Sequence, residues 1–143
     1  MIVLDTDHLS LLDRDNLAGA TLATRLSESA DKAVFVSIVT YEEQSRGWLA
    51  FLSKAKTPDK TVEAYRRLRR HIETYVEIPI VDFDLDSATR FSALRKSGVR
   101  IGTMDLRIAA ICLVNDALLL TRNISDFRQV PGLRTEDWST ENL

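Results

Sequence analysis

The chain has 143 residues, of which 45% are hydrophobic and 28% charged, and its formal net charge is −2. This length suits a single domain with a substantial core, which we expect to span residues 1–143. A net charge so close to zero excludes a globally basic nucleic-acid- or membrane-binding surface, so a polyanion partner would need a local basic patch. Cys112 is the only cysteine, which excludes an internal disulfide and a cysteine-rich zinc site. The sequence shows neither a signal-peptide pattern nor a long apolar run, and we expect a cytoplasmic protein without a membrane partner.

The first half of the chain alternates strand-like and helix-like segments. Ile2–Leu4 is a short apolar run, typical of a buried parallel strand. Two helical segments are predicted next, with a break near Gly19. Residues 33–37 form a second predicted strand, and Ser37 can cap the helix that follows. Longer helices are predicted over residues 39–52 and 61–75.

The second half repeats this alternation. Residues 77–81 form a third predicted strand, and Pro79 within it suits the edge of a sheet. Asp84 or Asp86 can cap the next helix, which Gly98 can end. The remaining predictions are a helix over 103–113 capped by Thr103, a fourth strand over 117–120 and a final turn over 130–133. Strands that alternate with helices predict an α/β fold with a mostly parallel sheet and helices on both faces.

Four acidic residues fall at the carboxyl ends of predicted strands or at the starts of helices. Asp5 follows the first strand, and Glu43 lies in the helix after the second. Asp105 opens a strongly apolar helix, and Asp126 follows the fourth strand. Ligands of an open α/β sheet bind at this edge, and carboxylates that converge repel one another unless a cation joins them. The pattern therefore indicates an acidic metal site, and its oxygen donors suit Mg²⁺ or Mn²⁺.

Some of these positions have a second interpretation. We interpret Asp7 as a helix cap rather than a ligand. Glu42 and Glu43 project about 100° apart on a helix, and the apolar pattern alone does not choose between them. Asp126 can also cap a short turn, and Asn123 can be a neutral ligand or a turn residue.

The histidines and glycines add little chemistry of their own. His8 is near enough to Asp5 in sequence to approach the site. No histidine or cysteine spacing typical of zinc hydrolases is present. No glycine-rich phosphate-binding loop is present either, which argues against nucleotide binding of that kind.

One dense basic patch lies in the second long helix. Arg66, Arg69 and Arg70 can share one side of the helix at i, i+3 and i+4 spacing. They can form a solvated face paired with Glu63 and Glu73, or an edge that binds the phosphates of RNA.

Several motifs occur together in the order and at the spacing of a known family. They are IVLDTD at 2–7, SIVTYEE at 37–43 with Gly47, IGTMDLRIAA at 101–110, LTRN at 120–123 with Asp126-Phe127, and the ending VPGL at 130–133 and EDW at 136–138. On these motifs the chain resembles the PIN-domain ribonucleases over essentially its whole length, most closely the VapC-like toxins of bacterial toxin–antitoxin pairs.

The resemblance implies a PIN-like three-layer α/β/α sandwich with four to five strands. It also implies that Asp5, Glu43 and Asp105 are the catalytic and metal-binding acids, with Glu43 selected over Glu42 by the family's serine-to-glutamate-to-glycine spacing. Asn123 stands where the family often has a fourth acid, so either Asp126 or Asn123 is expected to complete the site. The hydroxyls expected to orient the carboxylates belong to Thr6, Thr103 and Thr121.

The activity implied is Mg²⁺- or Mn²⁺-dependent hydrolysis of RNA by a toxin that binds a cognate antitoxin. A homodimer is also implied, with a higher toxin–antitoxin assembly as the larger form. Two alternatives stay open on the residues. Asn123 is the one argument for a catalytically weakened RNA- or partner-binding module. The Asp5-Thr6-Asp7 run resembles the nucleophile motif of haloacid-dehalogenase-like phosphatases, although a later acidic motif of that family is missing.

Overall fold

The computed structural model of the protein describes residues 1–141, and the expected end of the domain at residue 143 lies outside them. The strands are Ile2–Leu4 (β1), Val34–Ser37 (β2), Ile80–Val81 (β3), Leu118–Leu120 (β4) and Arg134–Glu136 (β5). The helices are Thr6–Leu12 (α1), Leu17–Glu28 (α2), Ile38–Ser53 (α3), Pro58–Glu77 (α4), Leu85–Lys96 (α5), Thr103–Val114 (α6) and Ile124–Phe127 (α7). Across the described part of the chain, no helix is long and apolar enough to cross a membrane.

The strands form one parallel sheet in the order β3-β2-β1-β4-β5. The central strand is β1, whose three apolar residues are all buried. Leu4 lies opposite Val36 of β2 on one side and opposite Leu120 of β4 on the other. Because all the strands point the same way, the residues that follow β1, β2 and β4 meet at one edge of the sheet.

Both faces of the sheet are covered, as the alternating side chains of β1 demonstrate. Val3 joins a core with α6, which supplies Leu106 and Ile108. Ile2 and Leu4 point to the other face, where they pack in the same cluster as residues of α1 and α2. This arrangement confirms the predicted three-layer α/β/α architecture.

The helix caps agree in part with the sequence predictions. The hydroxyl of Ser37 accepts from the backbone N–H of Thr40 at 3.1 Å, so Ser37 caps α3 as expected. Asp84 caps α5. The prediction for Thr103 is wrong, since Gly102 is the N-cap of α6 and Thr103 is its first helical residue.

Two predicted boundaries are also wrong, and one strand was missed. The break between α1 and α2 falls at residues 13–16, and Gly19 lies inside α2. The third strand is only Ile80–Val81, because α4 continues to Glu77. Its predicted position at the sheet edge is confirmed. The turn over 130–133 is followed by β5, a strand that the sequence reasoning did not locate.

Candidate active site

The predicted acids come together at the carboxyl edge of the sheet. Asp5 directly follows β1 and caps α1. Glu43 lies on α3, which begins immediately after β2, and Asp105 lies in the first turn of α6. Asp126 lies on α7, which follows β4 after a three-residue connection. The topology therefore brings four separate parts of the chain to one place.

Asp5 is the most buried of these acids, with an exposed fraction of 6%. Its Oδ1 accepts a hydrogen bond from the backbone N–H of Thr6 at 2.8 Å, and its Oδ2 accepts one from the Thr121 hydroxyl at 2.7 Å. Burial, followed by the charge of Asp7, raises the pKa of Asp5 to about 6. The ionised form is therefore costly here despite its two hydrogen bonds.

The pKa values of Glu43 and Asp105 are also raised, because both carboxylates are partly buried and have acidic neighbours. Burial, followed by the charge of Asp105, raises the pKa of Glu43 above its ordinary value. Burial, followed by the charges of Asp126 and Asp7, does the same to the pKa of Asp105. These mutual effects mean that the carboxylates lie close enough to repel one another.

Asn123 lies between two of the acids. Its Nδ2 is 3.1 Å from Oδ2 of Asp126 and 3.5 Å from Oδ2 of Asp105. The amide is thus a donor that offsets part of the repulsion between these carboxylates. Asp126 is the third residue of α7, so its interpretation as a cap is wrong.

Asp7 belongs beside this cluster, contrary to its interpretation as a helix cap. Asp5 is the cap of α1, and the Asp7 carboxylate accepts instead from the backbone N–H of Arg122 at 3.0 Å. The Thr121 hydroxyl is 3.5 Å from its Oδ2. The sequence feature that pointed to Asp7 was its spacing from Asp5, two residues apart. The two aspartates do not lie on one extended strand, however, because α1 begins at Thr6.

His8 connects this region to the C-terminal segment. The ring is completely buried, and its Nε2 is 3.1 Å from the backbone nitrogen of Trp138. Because that N–H must be the donor, Nε2 is the acceptor and the ring proton lies on Nδ1. Nδ1 then donates to Oδ1 of Asp7 at 2.9 Å. His8 therefore reaches the acidic cluster through Asp7.

The three threonines expected near the carboxylates are not equivalent. Thr121 donates to Asp5. The hydroxyl of Thr6 donates to that of Thr40 at 3.2 Å. Thr103 accepts from the Arg95 guanidinium at 3.3 Å, and its part in orienting a carboxylate stays a prediction.

The basic patch on α4 divides into two parts. Arg66 pairs with Glu63 at 3.8 Å, and Arg69 pairs with Glu73 at 3.5 Å, with side chains 75% and 81% exposed. These two arginines match the solvated-face interpretation. Arg70 instead reaches the end of α1, where its Nη2 is 3.3 Å from Oδ1 of Asp13.

The donor chemistry of the cluster fits a hard divalent cation. Its side chains offer carboxylate and amide oxygens, which Mg²⁺ and Mn²⁺ prefer, and a cation would relieve the repulsion that raises the pKa values of the acids. Within residues 1–141, however, no three Asp, Glu, His or Cys side chains are arranged around one point to hold an ion as they stand. Rotation of the Asp105 and Asp126 side chains is needed, because both are turned toward the Asn123 amide.

Comparison with known proteins agrees with this architecture. The model of the PIN domain family matches residues 2–133, so the chain belongs to the PIN domain family. Ribonuclease VapC1 of Haemophilus influenzae is 29% identical over 138 residues, covering 96% of this chain and 97% of that protein. The tRNA(fMet)-specific endonuclease VapC of Shigella flexneri is 36% identical over 73 residues, or 48% of this chain, and here the match spans only 55% of the relative's length.

A solved structure confirms the fold independently of sequence. The structure of VapBC-1 from nontypeable Haemophilus influenzae superposes with a TM-score of 0.76 at 22% identity. The superposition covers 98% of this chain and 100% of that one. The two chains therefore share a fold.

Proposed function

We propose that this protein is a metal-dependent endoribonuclease of the VapC type, with Mg²⁺ or Mn²⁺ as its ion. The observation that carries the proposal is the convergence of Asp5, Glu43 and Asp105 at the carboxyl edge of a PIN fold, with the pKa of each raised. A fold that keeps several carboxylates together at this cost has a use for a cation. The names of the curated relatives, which are ribonucleases and an endonuclease, support RNA as the substrate.

The chain's own residues have distinct parts in this proposal. Asp5, Glu43 and Asp105 would hold the ion, and Asp126 or the amide oxygen of Asn123 would complete its ligands. When bound, the ion supplies positive charge that activates a water and stabilises the charge that grows on the phosphate.

The surroundings of Asp5 keep its carboxylate in a fixed orientation. The Thr121 hydroxyl and the backbone N–H of Thr6 each hold one of its oxygens. Asp7 accepts from the backbone of Arg122 and so ties the loop that carries Asn123 to the start of α1. This rigid support reduces the reorganisation needed when a ligand binds.

The partners proposed follow from the same relationship. We assign the protein as the toxin of a toxin–antitoxin pair, with a cognate antitoxin as its protein partner. A homodimer, or a larger toxin–antitoxin assembly, is the form in which we expect it to occur. The family resemblance supports these assignments.

The first test is cleavage of RNA by the purified protein and by Asp5→Asn. We expect the parent to cleave RNA with Mg²⁺ or Mn²⁺ and to lose activity in EDTA. Asp5→Asn removes a metal-binding charge and should lower the cleavage rate by roughly 100-fold or more. It should remain folded, because the substitution also removes a buried charge and its repulsion from Asp7. Asp86→Asn, an exposed acid in the first turn of α5, is the control and should cleave as the parent does.

Specific results would contradict the proposal. Equal cleavage by the parent and Asp5→Asn would show that Asp5 is not needed. Metal-dependent RNA binding without cleavage by the parent would favour the weakened binding module. Hydrolysis of a chromogenic phosphate monoester would favour the phosphatase alternative, which membership in the PIN domain family leaves without support.

A further inference from the structure

A polar cavity of about 310 Å³ lies between α1, α3 and α4, and the clustered acids Asp5, Glu43, Asp105 and Asp126 are not among its lining residues. Arg14, in the loop after α1, contributes to its wall together with Arg67 and Arg70 of α4. Arg67 and Arg70 are one helical turn apart and so face the same space. Three guanidinium groups from two parts of the chain therefore line one cavity in a protein whose net charge is −2.

The acidic neighbours of these arginines only partly compensate their charge. Arg70 pairs with Asp13 at 3.3 Å, and Arg67 pairs with Glu63 at 2.8 Å. Arg14 takes part in none of the ion pairs found within residues 1–141. The pairs that do form have side chains at least 41% exposed, and exposed pairs contribute roughly 1 kcal/mol or less. A phosphate can therefore compete for these guanidinium groups.

The cavity also contains an aromatic surface. Trp48 of α3 lines it, and the guanidinium of Arg67 lies 5.6 Å from the centre of the Trp48 ring. Arginine and tryptophan side by side suit a nucleotide, since the charge attracts its phosphate and the ring can stack on its base. A base is free to stack in this way only when the nucleic acid is single-stranded.

The position of the cavity connects it to the acids. Gln44, which lines the cavity, is the residue directly after Glu43 and is held by the Tyr75 hydroxyl at 2.7 Å. Ser10, which also lines the cavity, is five residues after Asp5 on α1, or about 7.5 Å along the helix axis. Two of the helices that line the cavity are therefore also helices of the proposed site, since Asp5 caps α1 and Glu43 lies on α3.

We infer that this cavity is a subsite for single-stranded RNA, with Arg14 and Arg70 binding its backbone phosphate and Trp48 stacking on a base. The inference rests on the proposed ribonuclease function and specifies how that function selects its substrate. It divides the basic patch of α4, because Arg66 and Arg69 lie outside the cavity and pair with glutamates on the outer face.

Arg14 and Arg70 line the cavity whereas Arg66 and Arg69 do not, so the two pairs of arginines can be compared in one experiment. Binding of a labelled single-stranded RNA oligonucleotide is measured by fluorescence anisotropy in EDTA, with Asp5→Asn as the common background to prevent cleavage. Arg14→Ala with Arg70→Ala should weaken binding about tenfold or more and reduce the slope of log affinity against log salt by about 0.7, because one phosphate contact is lost. Arg66→Ala with Arg69→Ala removes the same charge and should change the affinity less than about twofold.

Replacement of Trp48 tests the stacking. Trp48→Leu should weaken RNA binding about fivefold or more without changing the salt slope, whereas Trp48→Phe should restore most of the affinity. Thermal unfolding of every variant verifies the fold, and the Phe variant keeps the test valid if Leu destabilises α3.

Three outcomes would overturn the subsite. The first is an equal loss of RNA affinity from the two pairs of arginine substitutions, and the second is no loss from Arg14→Ala with Arg70→Ala. The third is that Arg14→Ala with Arg70→Ala loses more affinity for a labelled polyglutamate peptide than for RNA. That result would make the cavity a site for acidic protein segments. The proposed function is judged separately by cleavage in Mn²⁺. If the parent cleaves RNA but the cavity variants bind it normally, the subsite fails and the ribonuclease stands. If the variants lose binding but the parent never cleaves, the subsite stands and the ribonuclease fails.

Discussion

Asp5 has a carboxylate whose two oxygens are both occupied by donors from the protein. The hydrogen bonds from Thr6 and Thr121 favour its ionised form, whereas burial and the neighbouring Asp7 disfavour it. The second pair of effects is stronger, since the pKa is raised to about 6 from an ordinary value of 3.8. A difference of this size corresponds to a cost on the order of 3 kcal/mol for keeping Asp5 ionised in the absence of a cation.

This cost predicts how stability depends on pH in metal-free protein. The pKa of Asp5 is higher in the folded state than in the unfolded state, so its contribution to the free energy of unfolding is fully present below pH 3.8 and is lost as the pH rises through about 6. Asp5→Asn lacks this contribution. Urea unfolding in EDTA at several pH values should therefore show Asp5→Asn gaining stability over the parent as the pH rises from about 4 to 7. Parallel pH profiles for the two proteins would contradict the raised pKa.

The sequence identified most of the acidic cluster but not all of its members. Asp5, Asp105 and Asp126 were found because each follows a recognisable strand or opens a helix, whereas Glu43 was chosen over Glu42 by the family's motif spacing. Asp7 was missed because an acid near a helix start is usually a cap, and only the tertiary structure brings the Arg122 N–H to its carboxylate. Whether Asn123 or Asp126 provides the further ligand stays a prediction, since both lie in the cluster.

At the scale of secondary structure, close packing between α1 and α2 explains why Gly19 misled the sequence prediction. A glycine inside a helical pattern usually indicates a break. Gly19 instead allows α2 to approach the carbonyl oxygens of Leu11 and Arg14, which a Cβ would meet at 2.4 and 2.7 Å. The backbone of Gly19 is helical, so this position requires glycine because there is no space for a Cβ and not because of glycine's backbone freedom.

This difference predicts opposite effects for two glycine-to-alanine changes. Gly19→Ala forces backbone apart and should lower the free energy of unfolding by about 2 kcal/mol or more. Gly47→Ala, inside α3 with nothing within 4 Å of the added Cβ, should raise it by up to about 1 kcal/mol. Denaturant unfolding of the three proteins measures both effects. Destabilisation by Gly47→Ala would show that α3 has a packing constraint beyond those described.

The elements that sequence reasoning placed well are those fixed by local chemistry. Ser37 and Asp84 are examples, because each caps a helix by accepting from a backbone N–H only three residues further along the chain. The fifth strand was missed because Arg134–Glu136 is short and mostly exposed. It is a strand only because it pairs with β4, which is a long-range interaction.

For the whole molecule, the proposed metal site couples ligand binding to folding. An ion that binds only the folded state raises the free energy of unfolding by about 2.7 kcal/mol at a concentration 100 times its dissociation constant. Mn²⁺ should therefore raise the melting temperature of the parent by about 5–10 °C. The shift should be much smaller for Asp105→Asn and unchanged for Asp86→Asn. A shift of the same size in all three proteins would place the ion elsewhere.

The overall architecture followed from alternation of strands and helices together with the ordered family motifs. The order of the strands did not, because the first four strands are short, mostly apolar runs and nothing in their composition specifies their neighbours. The order is set by the pairings between strands, in which β1 lies between β2 and β4.

The central position of β1 has a consequence for the synthesis of the protein. The ribosome releases the chain from its N-terminus, so β1 emerges first, yet its β4 neighbour at Leu118–Leu120 emerges several seconds later at usual translation rates. Until then Asp5 lacks the Thr121 hydroxyl, and Asp105 and Asp126 have not joined it. A nascent or prematurely terminated chain therefore carries no assembled acidic cluster. For an enzyme proposed to cut RNA, the fold therefore delays assembly of the acidic cluster until β4 and α7 have been synthesised.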